Sequence, residues 1–351
     1  MSLTNQHPTS LENQFGNKLR SFVVNAEFDF DSIQPLPDEG SARRYFRLSK
    51  ATQPARTAIL CLDHPFIVDS SDFVRLTDFL YNAGASVPRI IEMNEAGWFI
   101  VEDGGKQTLA QLWRNDSVAG EIAFKASLKE LTKWHSLNPP PMVTSRSFDF
   151  DKLFFEIEFL FARLANVSQI IGIDLKPSFE LTMFLRSVCE HLGQASPKVF
   201  THRDFHSRNI LVPDASNPTQ VVFIDHQDAR LGLPWYDVSS LLYDPYIDLS
   251  LEERRDYLNY YRELTGRKKN EDQNRYYLQA MQRILKALGS FLFLSFEKQK
   301  WFYVESIEPA LRRLEEIVLL GHFPDTVFLF AKDMRIKHLP AIKEAAKLAQ
   351  N

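Results

Sequence analysis

The run from Val199 to Asp228, VFTHRDFHSRNILVPDASNPTQVVFIDHQD, limits what this chain can fold into more than any other stretch. HRDFHSRN sets His202, Asp204 and Asn209 at the spacing H-x-D-x-x-x-x-N, and the apolar run Val221–Ile224 ends at Asp225. KVFT, NILV and QVVFI are short β-rich runs, with the turn cluster PDASNPT between the last two. A strand, a charged loop and a hairpin whose second strand ends in a carboxylate are the parts phosphoryl transfer uses. That chemistry needs Mg²⁺ to neutralise phosphate oxygens and a carboxylate to align the attacking hydroxyl and take its proton. Asp204 is the candidate base. Asn209 can offer Mg²⁺ a neutral oxygen and Asp225 an anionic one, a donor set this hard cation accepts beside ATP. His202 reads as a residue that ties the loop backbone together.

Composition removes several classes. The 351 residues allow about two domains. Hydrophobic content of 44% and charged content of 25% are ordinary for a soluble globular protein. The net charge of −4 gives no basic field for nucleic acid. Cys61 and Cys189 lack metal-site spacing and read as free buried thiols in a reducing compartment. The opening MSLTNQHPTS has neither the basic nor the apolar part of a signal peptide. No apolar run approaches the roughly 18 residues of a membrane span; Leu288–Phe296 is the richest. A cytoplasmic protein with a small-molecule partner, no membrane or nucleic-acid partner and a monomeric default state is expected.

In chain order, residues 9–26 read as a helix, and Pro35, Pro37 and Gly40 mark turns. Arg43–Leu48 and Thr57–Asp63 read as strands, residues 69–83 as a helix stopped by Gly84, and residues 89–103 as a hairpin. Glu102–Leu112 is the expected hinge, where backbone at Glu102 and Asp103 would meet adenine. Helices are expected over Glu121–Leu137, Phe150–Leu164, Phe179–Leu192, Asp237–Tyr243, Leu251–Leu264, Asn274–Phe296, Ile307–Leu320 and Ala341–Ala349. Asp244, Asp248, Glu252 and Glu253 alternate with basic residues and read as a helix surface.

HRDFHSRN, IDHQDARLGLPWYDVSSLL and FIVEDGG together resemble the aminoglycoside phosphotransferase-like kinases, over roughly residues 35–320. SARRYFRL, CLDHP, YDVSSLLYDPY, LKALGSFLFL and WFYVESIEPAL look more specifically like the anomeric N-acetylmuramate/N-acetylglucosamine kinases of bacterial cell-wall recycling. The resemblance implies an α+β, two-lobed protein-kinase-like fold, with a small β-rich lobe at 1–103 and a larger helical lobe at 104–351. It implies ATP and Mg²⁺ as cofactors, phosphorylation of the 1-hydroxyl of an amino sugar, Asp204 as base, and Asn209 and Asp225 as metal ligands. It makes Asp237 a holder of the catalytic-loop backbone, and Asp228 a residue facing the sugar or a second metal.

Two departures stand out. The strand TAILCLD holds no lysine and the helix after it no glutamate, so the usual lysine–glutamate pair is absent. Arg43 or Arg44 is the expected phosphate partner, Arg44 preferred because it shares a strand face with Phe46 and Leu48; an Asp63–Arg75 pair is the alternative. For the acceptor, Arg208, Arg230, Trp235 and Lys286 are candidates by position, and Arg230 stands where the sugar kinases are expected to carry an apolar residue. The competing readings are a kinase for an aminoglycoside, a choline-like amine or another sugar, and a nucleotide-binding pseudokinase regulator.

Overall fold

Alternation of apolar and polar residues builds the first sheet. The computed structural model describes residue 11 and residues 14–37, 43–50, 56–65, 71–268 and 272–350. Strands β1 (Asp29–Pro35), β2 (Arg44–Lys50), β3 (Arg56–Leu62), β4 (Ile90–Met93) and β5 (Trp98–Glu102) form an antiparallel sheet in the order β1-β2-β3-β5-β4. Phe46, Leu48, Ala58, Leu60 and Leu62 share one face of β2 and β3. They are buried in one cluster with Trp98, Ile100 and the Leu19 and Val23 of helix α1 (Asn17–Asn25). Register pairs Tyr45 with Cys61 and Arg47 with Ile59 on the opposite face. Helix α2 (Asp72–Asn82) starts on the Ser71 hydroxyl, which accepts from Val74 N, and buries Val74, Leu76 and Leu80.

Two expectations change here. The helix expected over 9–26 is broken at Gly16, whose φ is +63°, before α1 begins; residues 9–10 and 12–13 lie outside the described residues. Strand β1 was not anticipated, because a register shift between Asp29 and Gln34 interrupts its alternation. Residues 69–70 and the turn at Gly40 lie outside the described residues.

β6 (Gln107–Thr108), β8 (Ile210–Val212) and β9 (Val222–Phe223) form a three-stranded sheet in the order β6-β8-β9. β7 (Val199–Thr201) pairs antiparallel with β10 (Arg230–Gly232). The chain divides into two compact units: Met1–Gln107 with Leu211–Gln227, and Thr108–Ile210 with Asp228–Asn351. The expected cut after residue 103 follows chain order; packing returns the segment Leu211–Gln227 to the first unit.

The second unit is built on helices. They are α3 (Leu109–Asn115), α4 (Ser117–Ser136), α5 (Pro141–Thr144), α6 (Phe150–Ile171), α7 (Phe179–Gln194), α8 (Trp235–Leu242), α9 (Leu251–Thr265), α10 (Gln273–Phe296), α11 (Ile307–Gly321), α12 (Asp325–Asp333) and α13 (Leu339–Gln350). α10 is buried along most of its length, packed by α6, α8 and α11. Gly289 permits that closeness: a Cβ there would stand 3.1 Å from Leu160 Cα of α6. Among the described residues no helix is long and apolar enough to cross a membrane.

Candidate active site

In the second unit β7 ends at Thr201, and the loop from His202 to Asn209 follows. Two buried carboxylates pin it. Asp237, in the first turn of α8, accepts from His202 N at 2.7 Å and Arg203 N at 2.9 Å. Its Oδ2 also lies 3.0 Å from His135 Nε2, whose Nδ1 is 2.9 Å from the Tyr261 hydroxyl. Asp244 accepts from Ser207 N at 2.7 Å and Tyr246 N at 2.9 Å. Asp244 is therefore no surface acid, as its charge pattern suggested, but a buried anchor whose carboxyl is pushed up by burial. Arg203 carries a φ of +82°, an uncommon conformation for a non-glycine residue, and Asp237 bonds its N–H.

This loop aims Asp204 at three cations. Lys286 Nζ lies 2.5 Å from Asp204 Oδ1, Arg283 Nη2 at 3.7 Å, and Arg203 Nη1 at 3.8 Å from Oδ2. Arg283 and Lys286 stand three residues apart on α10, a spacing that puts both on one helix face. Burial pushes the Asp204 carboxyl up, but Lys286, Arg203 and Arg283 outweigh it and hold it well below the usual carboxylate range. Burial pulls the Lys286 ammonium down, and Asp204 opposes that pull. Asn209 Nδ2 donates to Asp204 O at 3.0 Å, which sets the amide with its donor end on the loop. His206, half-buried beside it, is pushed down to about 3 by desolvation and by Arg283, so it adds no charge near neutral pH.

The other candidates in this unit separate into two groups. Asp228 pairs with Arg203 at 2.8 Å, and Arg230 lies over the Phe148 ring at 5.2 Å, both near Glu156 of α6. Arg208 instead stacks on Tyr246 at 3.9 Å, with Tyr303 at 5.4 Å. Trp235 is buried edge-on against Tyr261 and Tyr276.

In the first unit, Asp225 follows β9 with a φ of +65°, and its Oδ1 accepts from Gln227 Nε2 at 2.7 Å. His226 fastens this turn: its Nε2 lies 2.8 Å from Thr77 Oγ1 of α2, and its ring stacks on Phe73. Arg44 bonds Gln14 Oε1 at 3.0 Å and lies over Phe15, on the face that α1 covers. Arg43 pairs with Asp63 at 2.6 Å and lies over Phe73, so Asp63 takes Arg43 as its partner. Arg47, which the sequence reading passed over, binds both Asp103 oxygens at 2.6 and 3.1 Å and Gly105 O at 3.0 Å. Its place in RRYFRL, alternating away from Phe46 and Leu48, was the available signal. Gly105, at φ +107°, has no room for a side chain, since a Cβ would stand 2.7 Å from Pro213 Cα. Glu102 accepts from Arg89 N at 3.1 Å.

A neutral amide and a carboxylate, as at Asn209 and Asp225, are oxygen donors of the kind Mg²⁺ takes. The model of the phosphotransferase enzyme family matches residues 32–292. The N-acetylmuramate/N-acetylglucosamine kinase of Pseudomonas aeruginosa is 27% identical over 217 residues, which cover 61% of this chain and 60% of that protein. The matched part therefore spans less than two thirds of that relative. Plasmodium vivax ethanolamine kinase superposes with a TM-score of 0.58 at 16% identity, covering 88% of this chain and 87% of that one. A thermostable mutant of aminoglycoside phosphotransferase APH(4)-Ia, bound to ADP and hygromycin B, does so with a TM-score of 0.57 at 14% identity, covering 91% and 100%. Together with the antiparallel sheet and the larger helical part, these matches establish that the chain belongs to the phosphotransferase enzyme family and has the α+β, two-lobed protein-kinase-like fold.

Proposed function

We propose that the protein is a cytoplasmic, Mg-ATP-dependent kinase acting on the anomeric (1-) hydroxyl of an amino sugar such as N-acetylmuramate or N-acetylglucosamine, in peptidoglycan recycling. The observation that carries this reading is Asp204: an ionised carboxylate on a loop pinned by Asp237 and Asp244, with Asn209 five residues on. The name of the Pseudomonas aeruginosa relative supplies the sugar class.

In this reading Asn209 and Asp225 hold Mg²⁺, Arg43 serves the nucleotide phosphates, and backbone at Glu102 and Asp103 meets the base. Bound Mg-ATP supplies the phosphoryl group and neutralises its charge. Asp204 orients the acceptor hydroxyl and takes its proton. A carboxylate ringed by Lys286, Arg283 and Arg203 is a weak base. A hemiacetal hydroxyl, acidified by its ring oxygen, asks less of such a base than an ordinary alcohol does. The same cations would repel a polycationic aminoglycoside, which favours a sugar over that alternative.

The test incubates the protein with Mg-ATP and a panel of amino sugars, aminoglycosides and choline-like amines. Coupled ADP release is followed, and the phosphate is located by mass spectrometry and NMR. A 1-phosphate on an amino sugar is expected. ADP release with an aminoglycoside or choline alone, or phosphate on another hydroxyl, overturns the reading.

A further inference from the structure

Charge around Asp204 does not balance within the second unit. Lys152, Arg203, Arg230, Arg283 and Lys286 share the region with four carboxylates among the described residues, Glu156, Asp204, Asp228 and Asp244, the last of which is taken up by the N–H groups of Ser207 and Tyr246. The carboxylates are largely committed. Asp204 takes Lys286, and Asp228 takes Arg203 at 2.8 Å. Glu156 Oε2 accepts from Gln282 Nε2 at 3.0 Å and from the Tyr236 hydroxyl at 3.4 Å, while its Oε1 accepts no hydrogen bond and lies 3.9 Å from Arg203 Nη2 and 4.0 Å from Lys152 Nζ.

Arg230 is left over, and Lys152 is held only at the limit of ion-pair distance. Arg230 is 9% exposed, and among the described residues its guanidinium makes one hydrogen bond, from Nε to the backbone oxygen of Asp228 at 3.3 Å. No carboxylate lies within ion-pair distance of it among the described residues. Lys152, near the start of α6, reaches Glu156 only at 4.0 Å. Burial pulls both down from their ordinary values; Arg203 lowers both and Arg230 lowers Lys152, while Glu156 and Asp228 raise both without overcoming the burial. A guanidinium buried to this degree without a counter-ion is costly unless something anionic completes it. Its place is fixed by β10, where Arg230 pairs with Thr201, the residue before the catalytic loop.

We propose that Arg230 and Lys152 form the seat of a carboxylate carried by the acceptor, so that this site selects acidic over neutral sugars. The proposal rests on the amino-sugar kinase reading and narrows its substrate class. A planar guanidinium can grip a carboxylate with two parallel hydrogen bonds, and Lys152 adds a point charge.

Calorimetry and turnover test it on the full chain, with N-acetylmuramate as the acidic sugar and N-acetylglucosamine as the neutral one. The wild type should bind and turn over the acidic sugar better. In Arg230→Met the acidic-to-neutral ratio of kcat/KM should fall roughly 10- to 100-fold, through KM, as for a lost charged hydrogen bond. Arg230→Lys should recover part of the ratio, and Lys152→Met should lower it less. Equal wild-type affinity for the two sugars overturns the seat. So does an equal loss for both in Arg230→Met, and so does a rise in the KM for ATP instead, which would assign the cations to phosphate. ADP release with neither sugar, while calorimetry still shows the Arg230-dependent preference, overturns the kinase reading and leaves the seat standing.

Discussion

Charge on the first-unit sheet and charge around the catalytic loop of the second unit are arranged differently. On the first-unit sheet, Arg43 has Asp63 and Arg47 has Asp103, one carboxylate to each guanidinium. Around the catalytic loop of the second unit one carboxylate, Asp204, is shared by Lys286, Arg283 and Arg203, while among the described residues no carboxylate lies within ion-pair distance of Arg230. A matched pair satisfies itself and fixes backbone, as Arg47 does by tying Asp103 and Gly105 together. An unmatched cluster stores an electrostatic need that a ligand can meet. The charges on the first-unit sheet read as scaffold and the cations gathered around Asp204 as chemistry.

The largest effect belongs to Asp204. Asp204→Asn keeps the shape and removes the base, so turnover should fall about 10²- to 10⁴-fold. ATP affinity, measured by calorimetry, should change little. A variant that keeps a tenth of wild-type kcat would mean that the cation cluster is structural after all. Next comes Asp237. Replacing it with alanine leaves the His202 and Arg203 N–H groups and His135 without their acceptor. Each buried orphan costs about 1–3 kcal/mol, so Asp237→Ala should lose about 3 kcal/mol in urea unfolding. A loss under about 1 kcal/mol would show that the loop holds its shape without this anchor.

Lys286 predicts a pH effect. With its pKa held below the unfolded value, ionised Asp204 contributes stability above about pH 4, lost as pH falls through the folded value. The acid limb of the kcat/KM profile should therefore lie well below neutral in the wild type. Lys286→Met removes the nearest cation, so the limb should move up by about one unit or more. A stationary limb would mean that Asp204 is not the group titrating in the rate.

How much of this could be read from residues alone follows from the same contrast. HRDFHSRN and the strand ending at Asp225 placed the loop and the turn, because their pattern is local. The long helices were legible through their periodicity, with bounds close to those observed for α9 and α10, while α6 runs seven residues past its expected end at Leu164. What failed was what depends on partners distant in sequence. Asp244 looked like a surface acid because nothing nearby reveals that it would cap the N–H of Ser207, 37 residues earlier. Lys286 was singled out only by its position, yet it meets Asp204 across 82 residues. Lys152 and Glu156 gave no signal at all, since an amphipathic helix carries charges on its exposed face by default. Alternation assigned Arg44 to the Phe46 and Leu48 face, but alternation does not say what covers a face; α1 does.

That last point gives the smallest and sharpest test. Arg44 lies with Gln14 and Phe15 on the covered face, whereas Arg43 lies with Asp63 near Tyr45 and Cys61. If Arg43 takes over the work of the missing strand lysine, Arg43→Ala should raise the KM for ATP by roughly tenfold, the size of one charged hydrogen bond to phosphate. Arg44→Ala should leave that KM within about twofold and cost a few tenths of a kcal/mol in stability, since it gives up one exposed contact and one ring. The reverse order would return the phosphate role to Arg44 and require the α1 side of the strand to open when nucleotide binds. No change in either variant would make the Arg43–Asp63 pair pure scaffold, and the first unit would then contribute no cation from β2 or the residue before it to phosphate binding except through Arg47.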